Sequence, residues 1–303
     1  MVSKLSVRVA GLHLEHPVMN ASGILGATPE HIERLASYGF SAIVTKTITP
    51  QPREGNPPPI IVEIPNIGLL NAVGLANPGK NIVPKLVEVS KRLGKPIVIS
   101  VGGSTPSEFL EVASIAEEAG ADAIELNLSC PHAKGYGIEI GSDPYQSYEV
   151  VKTVANSVKI PTIAKLGLCD RIVEVASKVL EAGAKGLTLI NTVRAMVIDV
   201  MTARPVLSNV FGGLSGPAIH PIAVRVVYEV YRELRPEIIG CGGVVDWVTA
   251  AELILAGARA VQVGTALMWK ENIVYDVLIG LRRLIEHFGV RSIEDLVGYS
   301  HRV

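Results

Sequence analysis

Short apolar runs punctuate this chain, and three of them sit in segments that echo one another: AGADAIEL at 119 to 126, AGAKGLTL at 182 to 189 and AGARAVQV at 256 to 263. Each reads as a helix end, a capping glycine and a strand apolar on both faces, as expected of a parallel strand covered by helices. A looser copy, YGFSAIVT at 38 to 45, puts Gly39 in the capping place. The spacings are too long for a solenoid and suit whole βα units.

The remaining runs complete a set of eight predicted strands, near 18 to 22, 42 to 47, 96 to 101, 123 to 129, 161 to 166, 187 to 192, 238 to 242 and 260 to 265. Helix starts fall between them. Thr28 precedes Pro29, Thr105 and Glu108 form a capping box around Pro106, Asp143 precedes Pro144, and Asp246 opens a later helix. Strand and helix alternate throughout, which predicts one α/β domain over residues 1 to 303, a (β/α)8 TIM barrel. A doubly wound open sheet would also alternate in this way, but no GxGxxG follows the first strand.

Composition narrows the function. Of 303 residues 48% are apolar, ample for a large core, and a net charge of −1 without like-charge blocks offers no nucleic-acid surface. Charge, glycine or proline interrupts every apolar run before the roughly 18 residues a membrane span needs. Three cysteines without CxxC spacing, in a chain with no signal peptide, point to a reduced, cytoplasmic setting.

A barrel of this kind places its site at the carboxyl ends of the strands. Those ends hold Asn20 and Ser22, Lys46 and Thr47, Ser100, Asn127 and Cys130, Lys165, Asn191 and Thr192, Gly242 and Gly243, and Gly264 and Thr265. Lys46 in VTKT and Lys165 in IAKL each follow an apolar run, where an unpaired ammonium is costly and an anionic ligand would offset that cost. IGCGGV at 239 to 244 and VGTA at 263 to 266 end the seventh and eighth strands, whose loops commonly hold phosphate in barrels. GGLSGPA at 212 to 218 adds backbone donors. Cys130, in AIELNLSCPH, needs help to act as a base, because an ordinary thiol has a pKa of about 8.5.

Taken together these segments resemble the class 1 dihydroorotate dehydrogenases, most closely the class 1B catalytic subunit. The resemblance rests on NASG at 20 to 23, TKTITPQPREGNPPP at 45 to 59, LLNAVGLANPG at 69 to 79, NLSCPH at 127 to 132, AKL at 164 to 166, INT at 190 to 192, GGLSGPAIHPIA at 212 to 223 and the two glycine pairs. It implies one FMN across the barrel mouth, its phosphate on Gly242, Gly243, Gly264 and Thr265. Ala21, Ser22, Gly23, Thr47, Ser100, Asn127, Ile190, Ser215 and Gly216 would contact the flavin. Lys165 would face its N1 and O2 edge, and Lys46 would serve flavin and substrate alike.

For the pyrimidine, the resemblance points to Asn71, Gly74, Leu75, Asn127, Asn191 and Thr192; a carboxamide matches the alternating donors and acceptors of a pyrimidinedione edge in either sense. Cys130 would remove the C5 proton while C6 passes a hydride to flavin N5. Residues 131 to 145 would form a lid with glycine hinges. With structural roles expected for Cys169 and Cys241, no iron–sulfur ligand set remains on this chain. Electrons would reach NAD through a partner subunit carrying FAD and a [2Fe-2S] cluster, in a heterotetramer built on a homodimer.

Three positions depart from the family's pattern. His132 and Ser100 replace frequent asparagines, and Ile60 stands where many relatives have arginine. His132 also suits a dihydropyrimidine dehydrogenase, the nearest rival, although PREGNPPP and GGLSGPAIHP favour the orotate-forming family. A non-catalytic flavin-binding subunit and a flavin-free phosphate-binding barrel are more distant rivals.

Overall fold

A computed structural model of the chain describes residues 4–129 and 141–302. The buried apolar runs become eight parallel strands: β1 (Val18–Asn20), β2 (Ile43–Val44), β3 (Ile97–Val101), β4 (Ala123–Asn127), β5 (Thr162–Leu166), β6 (Gly186–Leu189), β7 (Ile238–Cys241) and β8 (Ala258–Val263). They form one sheet in the order β1-β8-β7-β6-β5-β4-β3-β2. Helices α1 (Pro29–Ser37), α2 (Val83–Arg92), α3 (Pro106–Ala119), α4 (Pro144–Ala155), α5 (Ile172–Glu181), α6 (His220–Leu234), α7 (Trp247–Ala256) and α8 (Ile273–Phe288) follow the strands in turn. The architecture is a (β/α)8 barrel. No helix among the described residues is long and apolar enough to cross a membrane.

The helix caps follow the sequence closely. Thr28 accepts from the His31 amide, Asp143 from Tyr145 and Gln146, and Asp246 forms a full capping box with Thr249. At α3 the capping box differs from expectation. Thr105 accepts from the Glu108 amide, but the Glu108 carboxylate reaches past it to the Ser104 amide and hydroxyl.

The seam between β1 and β2 is closed by side chains. Asn20 lies on β1 with no exposed surface; its Nδ2 donates to the Val44 carbonyl at 2.7 Å and its Oδ1 accepts from the Val44 amide at 2.9 Å. The carboxamide thus takes both ladder bonds that a neighbouring strand would make. Although Asn20 ends a barrel strand, it is structural and does not reach the cavity wall. Asn20→Ala should strand two buried backbone groups and lower stability by about 3 kcal/mol, measurable as a reduced urea midpoint.

Past Val44, β2 ends earlier than the predicted 42 to 47 because the Thr45 hydroxyl accepts from the Ser100 amide at 3.0 Å, replacing a ladder bond. The chain then turns Lys46 and Thr47 towards the mouth.

Two additions frame the barrel. A hairpin of Val7–Val9 and Leu12–Leu14 turns through Ala10 and Gly11, both at positive φ, and packs against Pro161 at the amino ends of the strands. At the opposite end, the loops after β2 and β6 pair with each other. Their strands Val193–Ala195, Gly212–Ser215, Gly68–Asn71 and Ile61–Ile64 form an antiparallel sheet in that order. This roof has its own small core of Leu70, Ala72 and Leu207.

Candidate active site

The carboxyl ends of the barrel strands and the roof enclose a cavity of about 380 Å³. Ala21, Ser22, Gly23, Lys46, Thr47, Asn127, Lys165, Ile190, Asn191, Thr192, Gly242, Gly243, Gly264 and Thr265 line it from the barrel. Asn71, Gly74, Leu75, Ser215 and Gly216 line it from the two loops that build the roof. Ser100 does not reach it. Its hydroxyl is fully buried and pairs with Thr47 Oγ1 at 3.0 Å, standing behind that side chain. Cys130, His132 and most of the expected lid lie outside the described residues.

Alternation along β4 puts Glu125 and Asn127 on the same inward face. Asn127 Nδ2 donates to Thr47 Oγ1 at 3.0 Å, and its Oδ1 accepts from the amide and hydroxyl of Ser129 at 3.3 and 3.2 Å. Asn191 Nδ2 donates in turn to Ser129 Oγ at 2.9 Å. Ser22, on the far side, pairs with Thr47 at 3.2 Å. One hydrogen-bonded belt therefore crosses from β6 to β1 beneath the mouth. It passes through Ser129, immediately before Cys130 in the chain.

The two lysines differ. Lys165 is not an unpaired ammonium, contrary to the sequence expectation. Its Nζ donates to Gln262 Oε1 at 3.0 Å and stands 3.6 Å from Glu125 Oε1, a charge pair beyond hydrogen-bonding distance. Glu125 Oε2 accepts from Gln262 Nε2 at 2.7 Å and Thr188 Oγ1 at 2.8 Å, whereas Oε1 has no hydrogen-bond partner among the described residues. Burial, the largest single influence, lowers the Lys165 pKa, but attraction to Glu125 and to Cys241 together outweighs it and the net shift is upward.

Lys46 has no carboxylate within ion-pair distance among the described residues. Among the described residues its Nζ donates only to the Gly23 carbonyl, at 3.2 Å, and burial lowers its pKa. It is the cation on the cavity wall without an ion-pair partner among the described residues.

Cys241, expected to be structural, also lines the cavity. Burial pushes its thiol pKa up, against the pull of Lys165. Glu125, Gln262 and the roof sheet were not anticipated from sequence. The signal for Glu125 and Gln262 was present: each is a polar residue inside a strand otherwise apolar, in AIEL and AVQV.

The glycines shape the wall. Gly242 and Gly243 have φ of 128° and 68°, outside the range of most side-chain-bearing residues. A Cβ on Gly23 would meet nothing within 4 Å and would project into free space. The Thr265 and Ala266 amides, which open the short helix Thr265–Met268, have no backbone acceptor among the described residues and add donors suited to an anion.

Known proteins resemble the chain over nearly its whole length. A family model described as "Dihydroorotate dehydrogenase" matches residues 4–285. A protein of Aeropyrum pernix, named putative dihydroorotate dehydrogenase A (fumarate), is 50% identical over 301 residues, which is 99% of this chain and 98% of that protein. The dihydroorotate dehydrogenase B (NAD(+)) catalytic subunit of Desulforudis audaxviator is 44% identical over 310 residues, covering 100% of this chain and 99% of the relative. Its counterpart from Pyrococcus furiosus is 42% identical over 301 residues, 99% of each chain. Identity of this extent, on a barrel whose mouth gathers most of the residues expected from sequence, has one reading: the chain belongs to the dihydroorotate dehydrogenase family of oxidoreductases.

Proposed function

We propose that this chain oxidises (S)-dihydroorotate to orotate with bound FMN and passes the electrons to NAD through a partner subunit carrying FAD and a [2Fe-2S] cluster. The observation that carries the reading is Lys46, a cation with no ion-pair partner among the described residues, on the wall of a cavity that also presents apolar side chains, the amides of Asn71, Asn127 and Asn191, and the paired Lys165. Dihydroorotate brings a carboxylate to such a group; dihydrouracil, substrate of the nearest rival, brings none.

The residues present fit a phosphate-bearing flavin. Gly242, Gly243, Gly264 and Thr265 offer backbone donors for a phosphate, and Gly23 leaves room where a side chain would intrude. Bound FMN would supply the two-electron acceptor for the hydride that leaves substrate C6. Lys165, held by Glu125 and Gln262, would place positive charge beside the edge of the ring that becomes more negative on reduction. Asn71, Asn127, Asn191 and Thr192 would read the pyrimidine edge. Two of these amides are already oriented by the belt through Ser129. Cys130, next in the chain, would take the C5 proton onto its thiolate sulfur.

The purified chain should be yellow, and anaerobic dihydroorotate should bleach the flavin band. A colourless protein with no affinity for FMN would overturn the cofactor assignment. A flavin reduced by dihydrouracil and not by dihydroorotate would transfer the chain to the rival reading. The name of the Aeropyrum relative supports a second reading, with fumarate as the electron acceptor. NAD reduction is expected only when the partner is present, so NAD turnover by the chain alone would refute the division of labour.

A further inference from the structure

Behind the glycine turn that ends β7 lies a side chain that does not line the cavity. His220, the first residue of α6, is 6% exposed. Its Nδ1 is 2.9 Å from the Gly242 carbonyl oxygen and its Nε2 is 2.9 Å from Glu252 Oε2. A carbonyl can only accept, so Nδ1 is the donor of the first contact, while Nε2 faces the Glu252 carboxylate. The turn is packed directly on this ring's stem: a Cβ on Gly243 would fall 2.6 Å from His220 Cβ and 2.8 Å from the Gly216 oxygen.

The peptide between Gly242 and Gly243 is trans, so its C=O and N–H point in opposite directions across one plane. With the carbonyl drawn back to His220, the Gly243 amide is turned the other way, towards the cavity that Gly242 and Gly243 line. That amide donates to no backbone acceptor among the described residues. We propose that His220 is a positioning residue, tethered by Glu252, whose bond to Gly242 aims the Gly243 N–H at the phosphate of the flavin. This inference rests on the FMN reading above.

Because the bond acts on a phosphate donor, it should separate FMN from riboflavin, which lacks the phosphate. Flavin-free protein would be titrated with each by fluorescence. In His220→Asn the amide nitrogen falls where Nδ1 lies and keeps the bond to Gly242; in His220→Gln it falls near Nε2 and does not. We expect His220→Gln to weaken FMN about tenfold, the size of one well-made hydrogen bond, with riboflavin within about twofold. His220→Asn should stay within about threefold of the native protein for both flavins. Glu252→Leu, on the half-exposed side of the pair, should give a smaller FMN-selective loss and serves as the second test if His220→Gln folds poorly.

Equal weakening of both flavins by His220→Gln would mean general loosening and would overturn the assignment. Unchanged FMN affinity in His220→Gln and Glu252→Leu, or an FMN loss in His220→Asn as large as in His220→Gln, would do the same. Native protein that binds neither flavin overturns the FMN reading itself, a result distinct from all of these.

Discussion

Replacing Lys165 by alanine is expected to cost the folded protein about 3–5 kcal/mol, because it strands the Glu125 carboxylate without its cation in a fully buried place. Gln262 and Thr188 would still donate to Oε2, but Oε1 already lacks a hydrogen-bond partner among the described residues and would lose its charge partner as well. The discriminating variant is the double one. Adding Glu125→Gln removes the stranded charge and should recover most of the loss, since taking away both members of a buried pair is often nearly neutral.

Urea unfolding of the native protein, both single variants and the double variant measures this coupling; additive single effects would sink it. The pH dependence has a definite sign. Lys165 binds its proton more tightly folded than unfolded, so the pair's contribution is whole below the unfolded lysine value of about 10.4 and is lost only as pH rises through the higher folded value. Between neutrality and mild alkali the contribution of the native pair should therefore be constant. Lys165→Ala should also weaken FMN or shift its reduction potential, and an unchanged cofactor content and potential would count against its place at the flavin.

The second large effect is expected at Cys130. Cys130→Ser should slow anaerobic flavin reduction by dihydroorotate by roughly 10²–10⁴-fold, the usual contribution of a positioned general base, while leaving the protein yellow. The flavin would be retained because its proposed contacts lie on other residues, from Ala21 to Thr265. Stopped-flow reduction and cofactor content report the two halves separately. A Cys130→Ser protein reduced at the native rate would defeat the base assignment. A colourless one would place the thiol on the cofactor.

The barrel was legible because parallel strands covered on both faces must be apolar throughout, and IVISV or TIAKL announce themselves against amphipathic helices. The caps were legible because Thr28, Asp143 and Asp246 act within three residues of themselves. The roof was not. GLLN and GGLS are short, and Asn71 bonds Gly213 across 142 positions, a pairing that no local pattern encodes.

The lysines show the same limit. Strand ends identified Lys46 and Lys165 equally, but only the register that sets β4 beside β5 reveals that Lys165 has Glu125 for company. Asn20 looked like a ligand contact because it ends a strand, when its carboxamide instead completes the barrel.

The roof sheet carries a kinetic consequence. Its strands come from loops that meet only once β2 and β6 are in place, so the closure entropy of some 140 residues must be overcome before any of its cross-loop bonds form. Three fully covered side chains then hold it, against the continuous core below. Amides of Gly68–Asn71 and Gly212–Ser215 should consequently exchange with deuterium faster than those of β3 to β5, by opening that leaves the barrel intact. Equal protection in the two layers would mean that roof and barrel unfold as one unit. Otherwise the roof is the least cooperative layer of the protein, and substrate traffic can use its breathing without cost to the scaffold.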